Sequence, residues 1–300
     1  MYRADTVGFF AVLVVDGLLA GAIYALIALS FVVVYKTSRV VNFSLGEWMM
    51  LGTGTVAAAF HVLGLGLIGS LLVGLAGVMT LGAAFSHVVV RRVIGGPPIT
   101  IIMVTLGLGA LLRGVAAVAF RGIPGAIPVS LPKDPLVLLG VPVMPDRLVV
   151  AALAIGGAVL VTAFFHSTRT GLALRAIADD QQVATAMGVD VDRHFAITWL
   201  IVGALSVLAG VLWTAVAVGS FGVVLVGLKV FPVVILGGLD SVLGTVLGGL
   251  AIGMLESLTA GYLDPYLGGG FSTIASYLVL IVALCVRPYG LLGHADVRRV

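Results

Sequence analysis

From Trp48 to Val90 the chain carries no Lys, Arg, Asp or Glu. As a single helix that stretch would be roughly 65 Å long at 1.5 Å per residue, about twice the hydrocarbon thickness of a bilayer. It must therefore fold back, and "HVLGLG" (61–66) is the place for the turn, leaving spans at 44–60 and 67–90. Nothing in the rest of the chain offers water an alternative. Hydrophobic residues are 61% of the 300 and charged residues 10%, against about 25% charged in soluble domains. The chain reads as a polytopic membrane protein.

Further apolar runs predict spans near 97–120, which holds Arg113, and near 148–166, 194–218 and 271–286, which are charge-free. The first apolar run, Gly8 to Tyr35, is broken only by Asp16. It is longer than a cleaved signal core and reads as a retained first span. Between 222 and 262 the pattern is interrupted by Lys229, Pro232 and "GGLDS". Two readings stand there: a discontinuous segment facing a cavity, as membrane transporters use, or two short packed spans. Glycine, 41 residues in all, recurs at three- and four-residue spacings in "GLGLIGSLLVGLAGVMTLG" and "LGTVLGGLAIG", a pattern that lets membrane helices approach closely.

The net charge of +3 is scattered between apolar runs and gives no basis for nucleic-acid binding. Cys285 is the single cysteine and lies in an apolar run, which rules out an internal disulfide or a Cys-based metal site. The five histidines are far apart in sequence, so no metal site is expected. With the N-terminus outside, the inner segments hold Lys36, Arg39, Arg91, Arg92, Arg169, Arg175, Arg193, Arg287, Arg298 and Arg299. The outer segments hold only Arg3, Arg121, Lys133 and Arg147. The positive-inside rule then favours N-out and C-in, with the Pro-rich 121–147 loop external and 167–193 cytoplasmic.

Ionisable residues within spans are functional candidates by default: Asp16, Glu47, Arg113, Lys229, Asp240 and Glu256. Arg113 is expected to snorkel towards the outer interface, and Glu256 and Asp264 to approach the outer surface. No pair of these charges is spaced as an acid–base couple. In "VVNFSLGEWMM" (40–50), Asn42, Ser44 and Glu47 surround Gly46. They either line a hydrated path or form an interfacial cap, with Asn or Ser at the helix start and Glu47 in its first turn. No phosphate loop, H-E-x-x-H or G-x-S-x-G is present, so no motif supports an enzyme.

Residues 169–193, "RTGLALRAIADDQQVATAMGVDVDR", are polar by contrast. Thr170 is expected to cap one short helix, and Asp179 with Gln182 to start a second in the manner of a capping box. Gly188 is placed to stop it. Leu172, Ala176, Val183 and Met187 mark an apolar side. Two amphipathic helices exceed what a connection needs and fit docking in a groove of a cytoplasmic partner; the plain alternative is a solvated turn.

Four segments in order resemble the LivH-type permeases of ATP-binding-cassette importers for branched-chain amino acids, and the resemblance covers essentially the whole chain. They are "GLLAGAIYALIALSFVVVYKTSRVVNFSLGEWMMLG", "TRTGLALRAIADDQQVATAMGVDVDR", "GLKVFPVVILGGLDSVLGTVLGGLAIGMLE" and "RPYGLLG" (287–293). The resemblance implies an all-α polytopic membrane protein with eight or nine transmembrane or re-entrant segments, of type II-like importer architecture, forming one permease domain over 1–300. It implies inward transport of branched-chain amino acids by alternating access in a bacterial inner membrane. The implied partners are a second, LivM-like permease, two cytoplasmic LivG/LivF-like ATPases, an external solute-binding protein and the lipid bilayer. ATP and Mg would be used by the ATPases, with no cofactor bound by this chain. Asn42, Ser44, Gly46, Glu47, Gly237, Gly238 and Ser241 become candidates for the substrate path. Gly171, Arg175, Asp179, Asp180, Ala184 and Gly188 become the ATPase-coupling set. The importer coupling motif E-A-A-x-x-x-G is replaced here by "QVATAMG" (182–188), with Gln182 in the acidic position. Urea, short-amide or aromatic-acid permeases of the same family are the alternative substrate classes. A stand-alone secondary transporter is the competing class; it would carry paired intramembrane carboxylates and no docking helix.

Overall fold

The computed structural model describes residues 2–39, 41–93, 97–125, 127, 134–138, 141–216, 222–287 and 289–293. The helices follow the charge-free runs. They are α1 (Tyr2–Ser38), α2 (Leu45–His61), α3 (Leu67–Phe85), α4 (Arg91–Val93), α5 (Pro98–Ala119), α6 (Pro145–Ser167) and α7 (Arg169–Asp179). After them come α8 (Gln181–Ala186), α9 (Val191–Val216), α10 (Gly222–Gly237), α11 (Val242–Tyr262), α12 (Asp264–Leu267) and α13 (Phe271–Val286). A π-helical turn, Ser86–Val90, joins α3 to α4 without a break. Among the described residues, six helices are long and apolar enough to cross a membrane, and two shorter apolar helices lie at Val224–Gly237 and Phe271–Val286. With the 17-residue α2, this is the expected polytopic helical protein. The fold-back falls between His61 and Leu67, as the charge-free run requires.

One element was not foreseen. The Pro-rich segment after α5 contains a two-stranded antiparallel hairpin, β1 (Leu136–Leu138) and β2 (Val141–Val143), with Val137 opposite Pro142. The β-branched residues suit a strand. Both strands are edges, so a proline that cannot donate is tolerated.

The chain divides into two compact units. One comprises residues 1–28, 130–158 and 229–300; the other comprises 29–129 and 159–228. Burial separates interior helices from peripheral ones. In the most apolar stretch of α1, 83% of residues are buried, against 22% for the stretch running from α3 through α4 and 22% for α5.

In the first unit, α1 crosses α11 through small residues on both sides. A side chain at Gly21 would meet Gly249 O and Leu250 Cα at 2.7 Å, and one at Gly253 would meet Gly17 O at 2.5 Å. The four-residue spacing Gly17, Gly21, Ala25 thus faces Gly249 and Gly253, which is backbone-to-backbone helix packing. The carbonyls at the end of α10 find donors in the closing segment: Leu291 N–H donates to Leu236 O at 2.8 Å and Leu292 N–H to Gly237 O at 3.1 Å. Helix ends leave such carbonyls without intrahelical partners, so "RPYGLLG" completes α10. Asp264 holds the start of α13, accepting from Ser272 N–H at 2.8 Å and Gly270 N–H at 3.3 Å. The Ser272 N–H foremost keeps its carboxyl below the usual carboxylate range.

The second unit is built on α2, α3 and α9. Ser70, Gly74, Val78 and Gly82 form the buried stripe of α3 at four-residue spacing. Trp48, Phe85 and Trp199 close one end as an aromatic cluster, with the Phe85 and Trp199 rings 4.7 Å apart in edge-to-face geometry.

Candidate functional site

Three polar features stand out, and each lies within one unit. The first is the island before α2. Asn42 Oδ1 accepts from Ser44 N–H at 3.0 Å and from Ser44 Oγ at 2.8 Å. Ser44 occupies the N-cap position of α2, but its side chain makes no capping bond. Phe43 N–H donates to Thr105 Oγ1 at 3.4 Å, and the Glu47 carboxylate is ion-paired with Arg113. Thr105 and Arg113 lie roughly 10 and 22 Å along α5 from Pro98 at the helical rise, so 42–47 runs beside the body of α5. The side-chain cap is corrected, because neither Asn42 nor Ser44 caps α2, while Glu47 lies in its first turn as expected and finds a partner on α5. Arg113, expected to snorkel, keeps an exposed side chain (60%) while Glu47 is buried (6%). Asn42 Nδ2 is buried and finds no hydrogen-bond partner among the described residues. Gly46 is a packing residue, because Gly227 approaches it so closely that a side chain at Gly227 would meet Gly46 Cα at 2.5 Å.

If Glu47 serves the path, Glu47→Ala should lower uptake by about tenfold, equivalent to about 1.4 kcal/mol, with assembly retained. Uptake at the wild-type rate in reconstituted vesicles would leave Glu47 a packing residue only.

The second feature escaped sequence reasoning. Glu256, expected near the outer surface, is buried among three donors. Tyr24 Oη donates to its Oε2 at 2.7 Å, Lys229 Nζ to the same oxygen at 3.0 Å, and Ser276 Oγ to Oε1 at 3.0 Å. Lys229 Nζ also donates to Tyr24 Oη at 3.3 Å and lies 5.5 Å from that ring's centroid. A Lys–Glu couple therefore exists where no acid–base couple was expected. Its members come from α1, α10, α11 and α13, and Tyr24 and Glu256 are 232 residues apart. No spacing motif could have disclosed it; the only signal was the presence of Lys229 and Glu256 inside apolar helices. In the same unit, Asp16 pairs with Arg147 at 2.8 Å.

The remaining path candidates on this side form the α10–α11 turn. Gly237 packs its backbone on Gly244, and Gly238 adopts φ +108° beside Gly293. Ser241 caps α11 by accepting from Gly244 N–H at 3.0 Å. These three shape a turn, whereas Asn42, Ser44, Gly46 and Glu47 belong to the other unit.

The third feature is the polar loop, which forms two short helices as expected, with both caps shifted. Thr168, not Thr170, caps α7 by accepting from Gly171 N–H at 3.0 Å. Asp180, not Asp179, caps α8, accepting from Gln182 N–H at 2.9 Å and Val183 N–H at 3.0 Å. An Asx cap reaches the N–H groups two and three residues on, which only Asp180 can do for a helix beginning at Gln181. Gly188 ends α8 at φ +87°, in the left-handed region that glycine adopts without cost. Gly171 sits against the Phe164 and Phe165 backbone, tying α7 to α6. Ile177, Ala184 and Phe195 form a small core, with Val189 and Val191 packed against it. Arg175 Nε is buried and finds no partner among the described residues, Arg39 Nε donates to Ala178 O at 3.4 Å, and Asp179 is exposed. The apolar side foreseen at Leu172, Val183 and Met187 is turned outward, 60%, 58% and 81% exposed. The loop is folded on its own core and presents a second apolar face.

The chain matches the family described as "Branched-chain amino acid transport system / permease component" over residues 13–286. It is 29% identical over 306 aligned positions to the high-affinity branched-chain amino acid transport system permease protein LivH of Escherichia coli, covering 95% of this chain and 96% of the relative. It is 28% identical to the corresponding permease protein BraD of Pseudomonas aeruginosa, again covering 95% and 96%. The solved structure of PsaBC from Streptococcus pneumoniae in complex with Fab aligns over 90% of each chain at 17% identity, with a TM-score of 0.48.

Proposed function

The chain belongs to the family of branched-chain amino acid transport permease components, and from that premise we propose that it carries branched-chain amino acids inward by alternating access. In this reading it is the membrane subunit of an ATP-binding-cassette importer. It works beside a second, LivM-like permease, two LivG/LivF-like ATPases and an external solute-binding protein. ATP and Mg are used by the ATPases, and this chain holds no cofactor.

The observation that carries the reading is the loop of α7 and α8. Exposed Leu172, Val183 and Met187 on two capped helices, held by a separate core of Ile177, Ala184 and Phe195, make an apolar face suited to a groove on a partner. The work of ATP reaches the spans only if docking free energy differs between nucleotide states. The Met187→Asp and Val183→Asp double variant should reduce substrate-stimulated ATPase activity in reconstituted complexes by about tenfold or more, while the permease inserts normally. Undiminished stimulation would remove the loop from the coupling path. Transport by liposomes holding this chain without ATPases would instead favour a stand-alone carrier.

The proposed orientation is N-out and C-in. Nine alternating crossings, with α10 and α11 counted separately, bring the C-terminus inside together with the Arg-rich loops. The bonds from Leu291 and Leu292 to the end of α10 support the α10–α11 turn and the closing segment sharing one face. A reporter fused after α13 should be protected in intact cells, and labelling there from outside would reverse the assignment.

A further inference from the structure

We propose that Lys229 receives the carboxylate of the solute as it passes, with Glu256, Tyr24 and Ser276 as the groups that position it. The assignment rests on the reading of the chain as an amino-acid permease.

Lys229 is the eighth residue of the 16-residue α10, far from either end. An ammonium at such a depth is costly, and replacing a buried ion pair by apolar residues is often neutral or stabilising. Stability therefore does not explain why a cation is kept there.

The two members of the pair differ in access. Glu256 is held at both oxygens: Oε2 accepts from Tyr24 and Lys229, and Oε1 accepts from Ser276. Its side chain is 10% exposed against 23% for Lys229. An ammonium has three N–H donors. Glu256 and Tyr24 take two, and the third finds no acceptor among the described residues. The anion is thus turned inward as a fixed counter-charge, and the cation is the member left open. A site built this way takes an anionic oxygen ligand, not an amine. For an amino acid, that is the α-carboxylate, bound by a charge-assisted hydrogen bond. Tyr24 adds direction, its hydroxyl and ring both lying against the ammonium.

The test uses the assembled importer in proteoliposomes and compares uptake of leucine with that of leucinamide, which lacks the carboxylate. Leucine uptake by the wild-type complex comes first; its absence overturns the amino-acid reading itself, and this assignment with it. Given wild-type uptake, Lys229→Met should lower the leucine-to-leucinamide ratio by at least tenfold, and Lys229→Arg should restore much of it. An unchanged ratio in Lys229→Met overturns the role of Lys229 while leaving the amino-acid reading intact. Because Lys229→Met strands a buried carboxylate, the neutral pair Lys229→Met with Glu256→Gln is the companion variant, since the glutamine amide oxygen accepts from one of the Tyr24 and Ser276 hydroxyls and its Nε2 donates to the other. The proposal expects that pair to assemble and to lose the preference for leucine. Assembly with the preference kept, or failure to assemble, would make the couple a structural tie and overturn the assignment.

Discussion

Gly253→Leu is expected to abolish recovery of folded protein. A side chain at this position would meet Gly17 O and Gly21 N at 2.5 Å. These obstacles are backbone atoms of α1, which cannot step aside as a rotamer can. Overpacking a core costs about 1–3 kcal/mol where neighbours can shift, and more where they cannot. Here the only relief is to part α1 from α11, forfeiting the close packing along Gly17, Gly21, Ala25, Gly249 and Gly253. Gly77→Leu is the control, because a side chain there meets nothing within 4 Å and should change stability by no more than about 0.5 kcal/mol. Thermal unfolding in detergent, with the yield of monodisperse protein, measures both. Equal behaviour of the two variants would refute the crossing.

Glu256→Ala should have an effect of similar size for an electrostatic reason. It leaves the Lys229 ammonium without its counter-charge, and Tyr24 and Ser276 without their acceptor. Breaking a buried pair by removing one member costs about 3–5 kcal/mol. Adding Lys229→Met should recover most of the loss, because the residual charge goes with it. The double-mutant cycle isolates the coupling. Additive losses would mean that Lys229 and Glu256 do not depend on each other. Tyr24→Phe removes one donor to the same carboxylate and should cost less, about 1.5–3 kcal/mol.

The loop from Thr168 to Gly188 shows how far local signals reach. Its two helices, the stop at Gly188 and the apolar side were legible, because caps and periodicity are properties of neighbouring residues. The caps themselves were each misplaced, by two residues at Thr168 and by one at Asp180. Several Thr and Asp residues lie within reach of each helix start, and the backbone angles choose among them. Thr168 and Asp180 are both extended, with ψ of 150° and 108°. Whether the apolar side faced inward or outward was also open. That depended on the small core around Ile177, Ala184 and Phe195, which forms only when α9 returns beside the loop.

By itself, the sequence determined the apolar runs that become the membrane helices, the fold-back at 61–66 and the interruption at "GGLDS" (237–241), while leaving open whether 222–262 crosses twice. Each follows from run length and composition, because a bilayer accepts only about 20 apolar residues per crossing and glycine or proline ends a run. The family resemblance was legible for the same reason, being spread along ordered segments. Only the tertiary structure decided which glycines face another backbone, which partner Glu47 finds on α5, and that Tyr24, Lys229, Glu256 and Ser276 meet. Those outcomes depend on how each helix is rotated about its axis and slid along its neighbour. Hydropathy is nearly the same all round these helices, so the apolar pattern leaves rotation and register open, and contacts between residues far apart in sequence settle them.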